Sequence, residues 1–273
     1  MKKKLVLFGV VPALLLASCS PDYGKEVTDA KEVAALKEGI SKHDNKDVKS
    51  GEISIKVEGS AYDEESKKNV TTKTDMLLQA NEKNEMYLHS VSEQDGEKAE
   101  SNMYLVQNET YKSIYYVSQY DPETKKTETY VYSEKENSTT VGMAQLAFLF
   151  PMVFYSAFED PTDLDVDEIG QLTETENSKM SATTTYYSKG EGNLTMKIEA
   201  KGEAASDAKE EVAVSENILV TYDNYMFKSA DMDYETNLGN KGKVLVTFTA
   251  KENIKIELPK GWEDLIDKVA VEE

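Results

Sequence analysis

Apolar and polar residues alternate in segment after segment of this chain, and that period of two is what most limits its fold. In Glu52–Glu58, Ile53, Ile55 and Val57 fall on one side and Ser54, Lys56 and Glu58 on the other. This is the pattern of a strand with one face buried and one face wet. Similar segments follow at roughly ten-residue intervals, around Thr71–Ala80, Glu85–Val91, Asn102–Gln107, Tyr111–Gln119 and Lys126–Tyr132. Turn-forming pieces such as Asn81-Glu82-Lys83-Asn84 and Tyr120-Asp121-Pro122-Glu123 join them. A second series runs through Met180–Tyr187, Gly192–Ala200, Asn217–Phe227, Lys241–Ala250 and Ile254–Leu258. Between Lys201 and Glu211 the sequence is small and charged, which predicts a long exposed hairpin connection. The rhythm is that of an antiparallel meander.

Three segments break the rhythm. From Glu26 to Lys42, Val33, Leu36 and Ile40 recur at helical spacing with Val27 and Ala30 before them, predicting one amphipathic helix that ends by Asn45–Gly51. After Leu258-Pro259, Trp262, Leu265, Ile266 and Val269 fall on one side of a short closing helix. Residues 141–158, VGMAQLAFLFPMVFYSAF, hold 18 residues without a charge and carry Pro151 in the middle. As a helix this run reaches about 27 Å, barely a hydrocarbon thickness, and Pro151 removes a backbone donor. Its flanks, Glu134, Glu136, Glu159 and Asp160, are acidic on both sides. The expectation is therefore a helical insert against the sheet rather than a membrane span. The alternative is the wall of an apolar cavity lined by Met143, Leu146, Phe148, Phe150, Met152, Phe154 and Phe158, where soft methionines would conform to an acyl chain.

The first 20 residues, MKKKLVLFGVVPALLLASCS, combine a lysine-rich start, an apolar run too short to span a bilayer, and Leu16-Ala17-Ser18-Cys19. They resemble a bacterial lipoprotein signal with its lipobox. The resemblance implies removal of residues 1–18, a diacylglyceryl group on the Cys19 sulfur, and a mature chain tethered to the extracytoplasmic face of the cell membrane. Each buried methylene contributes about 0.8 kcal/mol, so two or three acyl chains hold a globular domain where one would be marginal. Residues 19–25, rich in turn formers, would be the tether, and 26–273 a single domain.

Cys19 is the sole cysteine, so lipidation would leave no disulfide, and packing alone must hold the domain. The formal charge is −20, and loss of Lys2, Lys3 and Lys4 with the signal would make it −23. Arginine is absent. Such a field repels phosphate backbones, and no bidentate fork exists for guanine or phosphate, so no nucleic-acid partner is expected.

The order of lipobox, tether, amphipathic helix, long meander, apolar insert, further strands and closing Leu258-Pro259 with Trp262 resembles the half-barrel lipid-handling lipoproteins of the LolA and LppX type. That resemblance implies a fold of class α+β, dominated by β structure. A curved antiparallel sheet, an open half-barrel, would be packed on a few helices, with acyl chains held between them. It carries no site residue across, because the arginine that controls cavity opening in the carrier form has no counterpart here.

Catalytic chemistry is sparse. Only His43 and His89 could serve as an imidazole base, no G-x-S-x-G occurs, and the solitary thiol belongs to the lipobox. Both histidines read as surface residues, and zinc is unsupported. Asp163, Asp165, Asp167 and Glu174 match positions one, three, five and twelve of a calcium loop, but Glu168 occupies the glycine position and Gly170 arrives two residues late. A solvated acidic linker explains them. Gly239-Asn240-Lys241-Gly242-Lys243 lacks the spacing of a phosphate loop and predicts a hairpin turn. The expectation is a lipid-anchored protein that is not an enzyme, needs no cofactor, and binds a lipid or other apolar ligand. Two alternatives stay open: a surface-interaction or cell-envelope structural lipoprotein with a filled core, and a solute-binding lipoprotein of a transporter.

Overall fold

Twelve strands form one open antiparallel sheet in the computed structural model, which describes residues 22–43, 50–63, 67–83, 85–94, 96–122, 124–134, 179–205 and 211–268. The strands are β1 Lys25–Val27, β2 Gly51–Asp63, β3 Lys68–Ala80, β4 Met86–Gln94, β5 Glu97–Val106, β6 Ser113–Asp121 and β7 Lys126–Glu134. They continue with β8 Lys179–Ser188, β9 Leu194–Ala205, β10 Glu211–Asp223, β11 Met226–Thr236 and β12 Lys241–Ala250. Helix α1 spans Ala30–Lys42, and a 3-10 helix spans Trp262–Lys268. The spatial order is β1-β8-β9-β10-β11-β12-β2-β3-β4-β5-β6-β7. Two meanders, β2–β7 and β8–β12, are thus joined side by side through β12 and β2. Ten residue pairs, from Lys241↔Ser60 to Ala250↔Gly51, make that seam.

Because side chains alternate across a strand, the register carries two faces through the whole sheet. Face A holds Val246 opposite Ile55, Ala230 opposite Val246, Val220 opposite Ala230, and Met196 opposite Val220. All five are buried. With Leu194, Tyr222, Phe227 and Ile40 of α1 they form one hydrophobic cluster. The second cluster comprises Val106, Ile114, Val131 and Ile256. Val106 pairs with Ile114, and Tyr116 with Tyr104 and Val131, whereas the face-A line from Ile55 runs through Met76 to Ser90 and Ser101. The strand residues of the second core therefore lie on the opposite face, face B.

The two connections that cross the sheet explain this division. From β1 to β2 the chain crosses six strand spacings, about 29 Å, and α1 makes that crossing over face A, with Leu36 and Ile40 seated in the first core. After β12 the chain must cross six spacings to reach β7, and it does so over face B. Ile256 is part of the second core, against which Ile254, Leu258, Trp262, Leu265 and Ile266 pack alongside Tyr87, Tyr104, Tyr111 and Tyr116, with the Tyr111 and Trp262 rings 6.3 Å apart. Asn81, in the β3–β4 turn and 7% exposed, pins the start of this segment: its Nδ2 donates to the Ile254 carbonyl at 3.3 Å and to Glu85 Oε2 at 2.7 Å. Its Oδ1 accepts from the Lys83 and Glu85 amides.

Several expectations change at this point. The predicted helix over 26–42 begins at Ala30, because Asp29 caps it, accepting from the Lys31 and Glu32 amides at 2.8 and 3.1 Å. Residues 25–27 instead pair with β8, so part of the expected tether is sheet. Tyr23 also packs its ring 5.5 Å from Tyr187. Asn217–Phe227 is not one strand: Asn224 and Tyr225, at φ of 52° and 65°, turn the chain between β10 and β11. Much of the Lys201–Glu211 connection extends the β9–β10 hairpin. Ile254–Leu258 joins no ladder and spends its alternation on face B. The predicted turn at Gly239 is present, with a positive φ of 81° between β11 and β12. Next to it, a Cβ on Gly242 would meet the Tyr234 ring at 2.3 Å, so only glycine lets that ring lie over the strand.

Since the cores sit on opposite faces and share no residue, truncating one leaves the other packed. Met196→Ala and Ile114→Ala are each expected to cost about 2–5 kcal/mol and to add in the double variant. Denaturant unfolding of the two singles and the double checks this, and strong coupling would count against two separate cores.

Candidate functional site

An opening among the described residues lies where β1 ends and α1 begins. The β1–β8 ladder runs from Lys25↔Ser188 to Val27↔Tyr186; beyond that last pair the chain turns into the helix. A cleft of about 520 Å³ is left between α1 and β8. Val27, Ala30, Val33 and Ala34 line it on one side and Thr184, Thr185 and Tyr186 on the other. Helical spacing places Ala30, Val33, Ala34 and Lys37 on one stripe, next to the Leu36 and Ile40 stripe that enters the core. The short alanine side chains hold the space open. Lys37 sits at the mouth, its Nζ 5.1 Å from the centre of the Tyr186 ring. Thr184 Oγ1 is sealed from solvent and has no hydrogen-bond partner among the described residues. Glu26 and Thr28 complete the lining with Lys37, so an apolar group with a polar rim fits it.

At the other end of α1, Tyr225 closes the helix. His43 is the C-cap residue, its amide donating to the Ile40 carbonyl at 3.0 Å, and its ring stacks 4.8 Å from that of Tyr225. The Tyr225 hydroxyl donates to Glu191 at 2.6 Å. His43 is thereby part of a helix cap.

A second feature occupies face B of β4–β7, beyond the part covered by the C-terminal segment. The residues grade along the strands: first the buried Val106, Ile114 and Val131, then the tyrosines 87, 104 and 116, then a polar network. Adjacent tyrosine rings lie 4.7 and 5.6 Å apart. In the network, Asn102 Oδ1 accepts from the Tyr87 hydroxyl and from His89 Nδ1, each at 2.9 Å. An amide oxygen only accepts, so His89 carries its proton on Nδ1. Asn102 Nδ2 points to Glu100 at 3.4 Å, which fixes the amide's orientation, and His89 Nδ1 is 3.9 Å from the same carboxylate. Sequence reasoning left His89 on the surface; it is half-buried and hydrogen-bonded. Burial first, then Tyr104 and the Glu100 charge, push the Tyr87 hydroxyl up to about 12.

The other sequence-derived candidates are not placed by this structure. Cys19, the cavity residues Met143, Leu146, Phe148, Phe150, Met152, Phe154 and Phe158, and the acidic set Asp163, Asp165, Asp167 and Glu174 all lie outside the described residues. Among the described residues, no three His, Cys, Asp or Glu side chains are grouped to hold a metal ion. No described helix is long and apolar enough to cross a membrane.

Tyr87 gives a signed pH dependence. Its folded pKa lies above the ordinary value of 10, so the unfolded chain releases this proton first. Stability is therefore expected to fall as pH rises from about 10 to about 12. Tyr87→Phe removes that part of the alkaline loss, checked by thermal unfolding across the range; an unchanged alkaline slope would contradict the assignment. The chain matches no family model, no curated protein and no solved structure.

Proposed function

We propose that this chain is an extracytoplasmic lipoprotein, held on the cell membrane by acyl groups on Cys19, which binds a lipid or other apolar ligand and catalyses no reaction. In this reading the open sheet curls as a half-barrel of the LolA and LppX type, with face A inward. The observation that carries the ligand assignment is the cleft of about 520 Å³ between α1 and β8, walled by Val27, Ala30, Val33 and Ala34. Its volume lies within the range of small-molecule pockets, and its apolar wall is edged by the polar Glu26, Thr28, Lys37, Thr184 and Thr185. Further support comes from face A beyond α1. There Leu88, Met103, Leu105 and Val117 are half-buried and belong to neither hydrophobic cluster of described residues. The lipobox supports the anchor, and the strongly acidic composition supports a tethered domain whose surface does not adhere to anionic headgroups.

The reading predicts that solvent extraction of the purified full chain releases a stoichiometric apolar molecule, identified by mass spectrometry. Ala34→Trp fills the cleft from the helix side and is expected to abolish that retention while leaving the melting temperature within a few degrees. Absence of any bound molecule in the wild type would favour a filled-core surface protein. In the same cells, labelled palmitate is expected to enter the wild type and not Cys19→Ala; equal labelling of the two would reject the anchor.

A further inference from the structure

The polar end of face B on β4–β7 has the makings of a second site, distinct from the α1–β8 cleft and on the opposite side of the sheet. A cavity of about 400 Å³ lies there, lined by Val91, Lys98, Glu100, Asn102, Ser118, Tyr120 and Thr127. The register brings these residues together from four strands: Val91 faces Glu100, Asn102 faces Ser118, and Tyr120 faces Thr127. The C-terminal segment packs as far as the tyrosine row, and the hydrophobic cluster it completes includes none of these residues. Their short hydroxyl and amide groups project from a hydrogen-bonded sheet, so little side-chain entropy is lost when a ligand binds them.

The chemistry of the lining selects the ligand. Lys98, the one cation among the lining residues, is already paired with Glu93 at 3.3 Å. In a chain of formal charge −20, nothing there compensates a phosphate or a carboxylate, so an anionic ligand is disfavoured. Six of the seven lining residues carry a polar group, which disfavours an acyl chain. What remains is a floor that both donates and accepts: the Ser118 and Thr127 hydroxyls, Asn102, the Glu100 carboxylate, and the phenol of Tyr120 as a partly apolar wall. Glu100 and the Tyr87–His89 pair hold Asn102 in one orientation before any ligand arrives. We propose that this trough binds a neutral glycan segment, its hydroxyls hydrogen-bonded to Asn102, Ser118, Glu100 and Thr127 and its ring set against Tyr120. A shallow, open site of this kind would favour an extended oligosaccharide over a single buried sugar.

The test is calorimetric titration of the full chain in detergent with maltotetraose and chitotetraose as neutral glycans and tetralysine as a cationic peptide. Saturable binding of at least one glycan is expected within about 10 mM, the weak end of specific affinity. Ser118→Ala and Thr127→Ala should each weaken it by roughly five- to ten-fold, the effect of one lost hydrogen bond. Thr247→Ala, on face B of the other half of the sheet, should leave it unchanged. Both trough variants change exposed or half-buried hydroxyls and are checked for unchanged melting. The proposal is overturned if neither glycan binds saturably, if Thr247→Ala weakens binding as much as the trough variants do, or if tetralysine alone binds.

Discussion

Everything in this molecule depends on the seam between β12 and β2. Its ten paired positions fuse two meanders, which the chain could have folded as separate sheets, into one continuous pleat. Once the pleat is continuous, the side chosen by any residue fixes the side of its partners on every other strand. Ile55 opposite Val246 puts the middle of the sheet's core on face A. The same register, followed outward through β3–β6, delivers Val106 and Ile114 to face B. Lys251 reinforces the end of the seam: its ammonium and the Gln79 amide both bond the Glu52 carboxylate and hold it below the usual range.

A sheet with cores on opposite faces at its two ends also has two other surfaces, and these differ in chemistry. Face A of β4–β6, toward the β7 end of the sheet and away from the α1–β8 cleft, carries the half-buried Leu88, Met103, Leu105 and Val117. Face B of β8–β12 carries charge, with Lys197 beside Glu199 and Lys243 beside Asp231, and reads as solvated surface. The apolar cleft and the polar trough thus fall on different faces without competing for the same side chains. The proposed apolar ligand and the proposed glycan would occupy independent sites on one sheet.

Most strands were legible in the sequence because burial on one side writes a period of two into the residues. Where burial is light the signal fades. β11 escaped notice because its face-A residues Ala230, Met232 and Tyr234 lie among four charged neighbours, and only a partner strand reveals Ala230 as fully buried. The opposite error befell Ile254–Leu258, whose alternation is strand-like although it pairs with nothing and lies across other strands. Val27 matched a helical spacing by chance; Asp29 decided the boundary. The switch of faces between the cores was not legible at all, since periodicity shows which residues of a strand share a side but not which sides different strands share. Asn102 with Tyr87 and His89 was missed for the same reason, because the three residues come together only through the β4–β5 register.

The central claim, one sheet with cores on opposite faces, is tested most directly by methyl and aromatic nuclear Overhauser contacts in solution. Ile114 is expected to show contacts to Ile256 and to the Trp262 ring, and Ile40 to Tyr222 and Met196, with no contact shared between the two sets. Contacts from Ile40 and Trp262 to one common group of sheet residues would place both coverings on the same face and contradict the account.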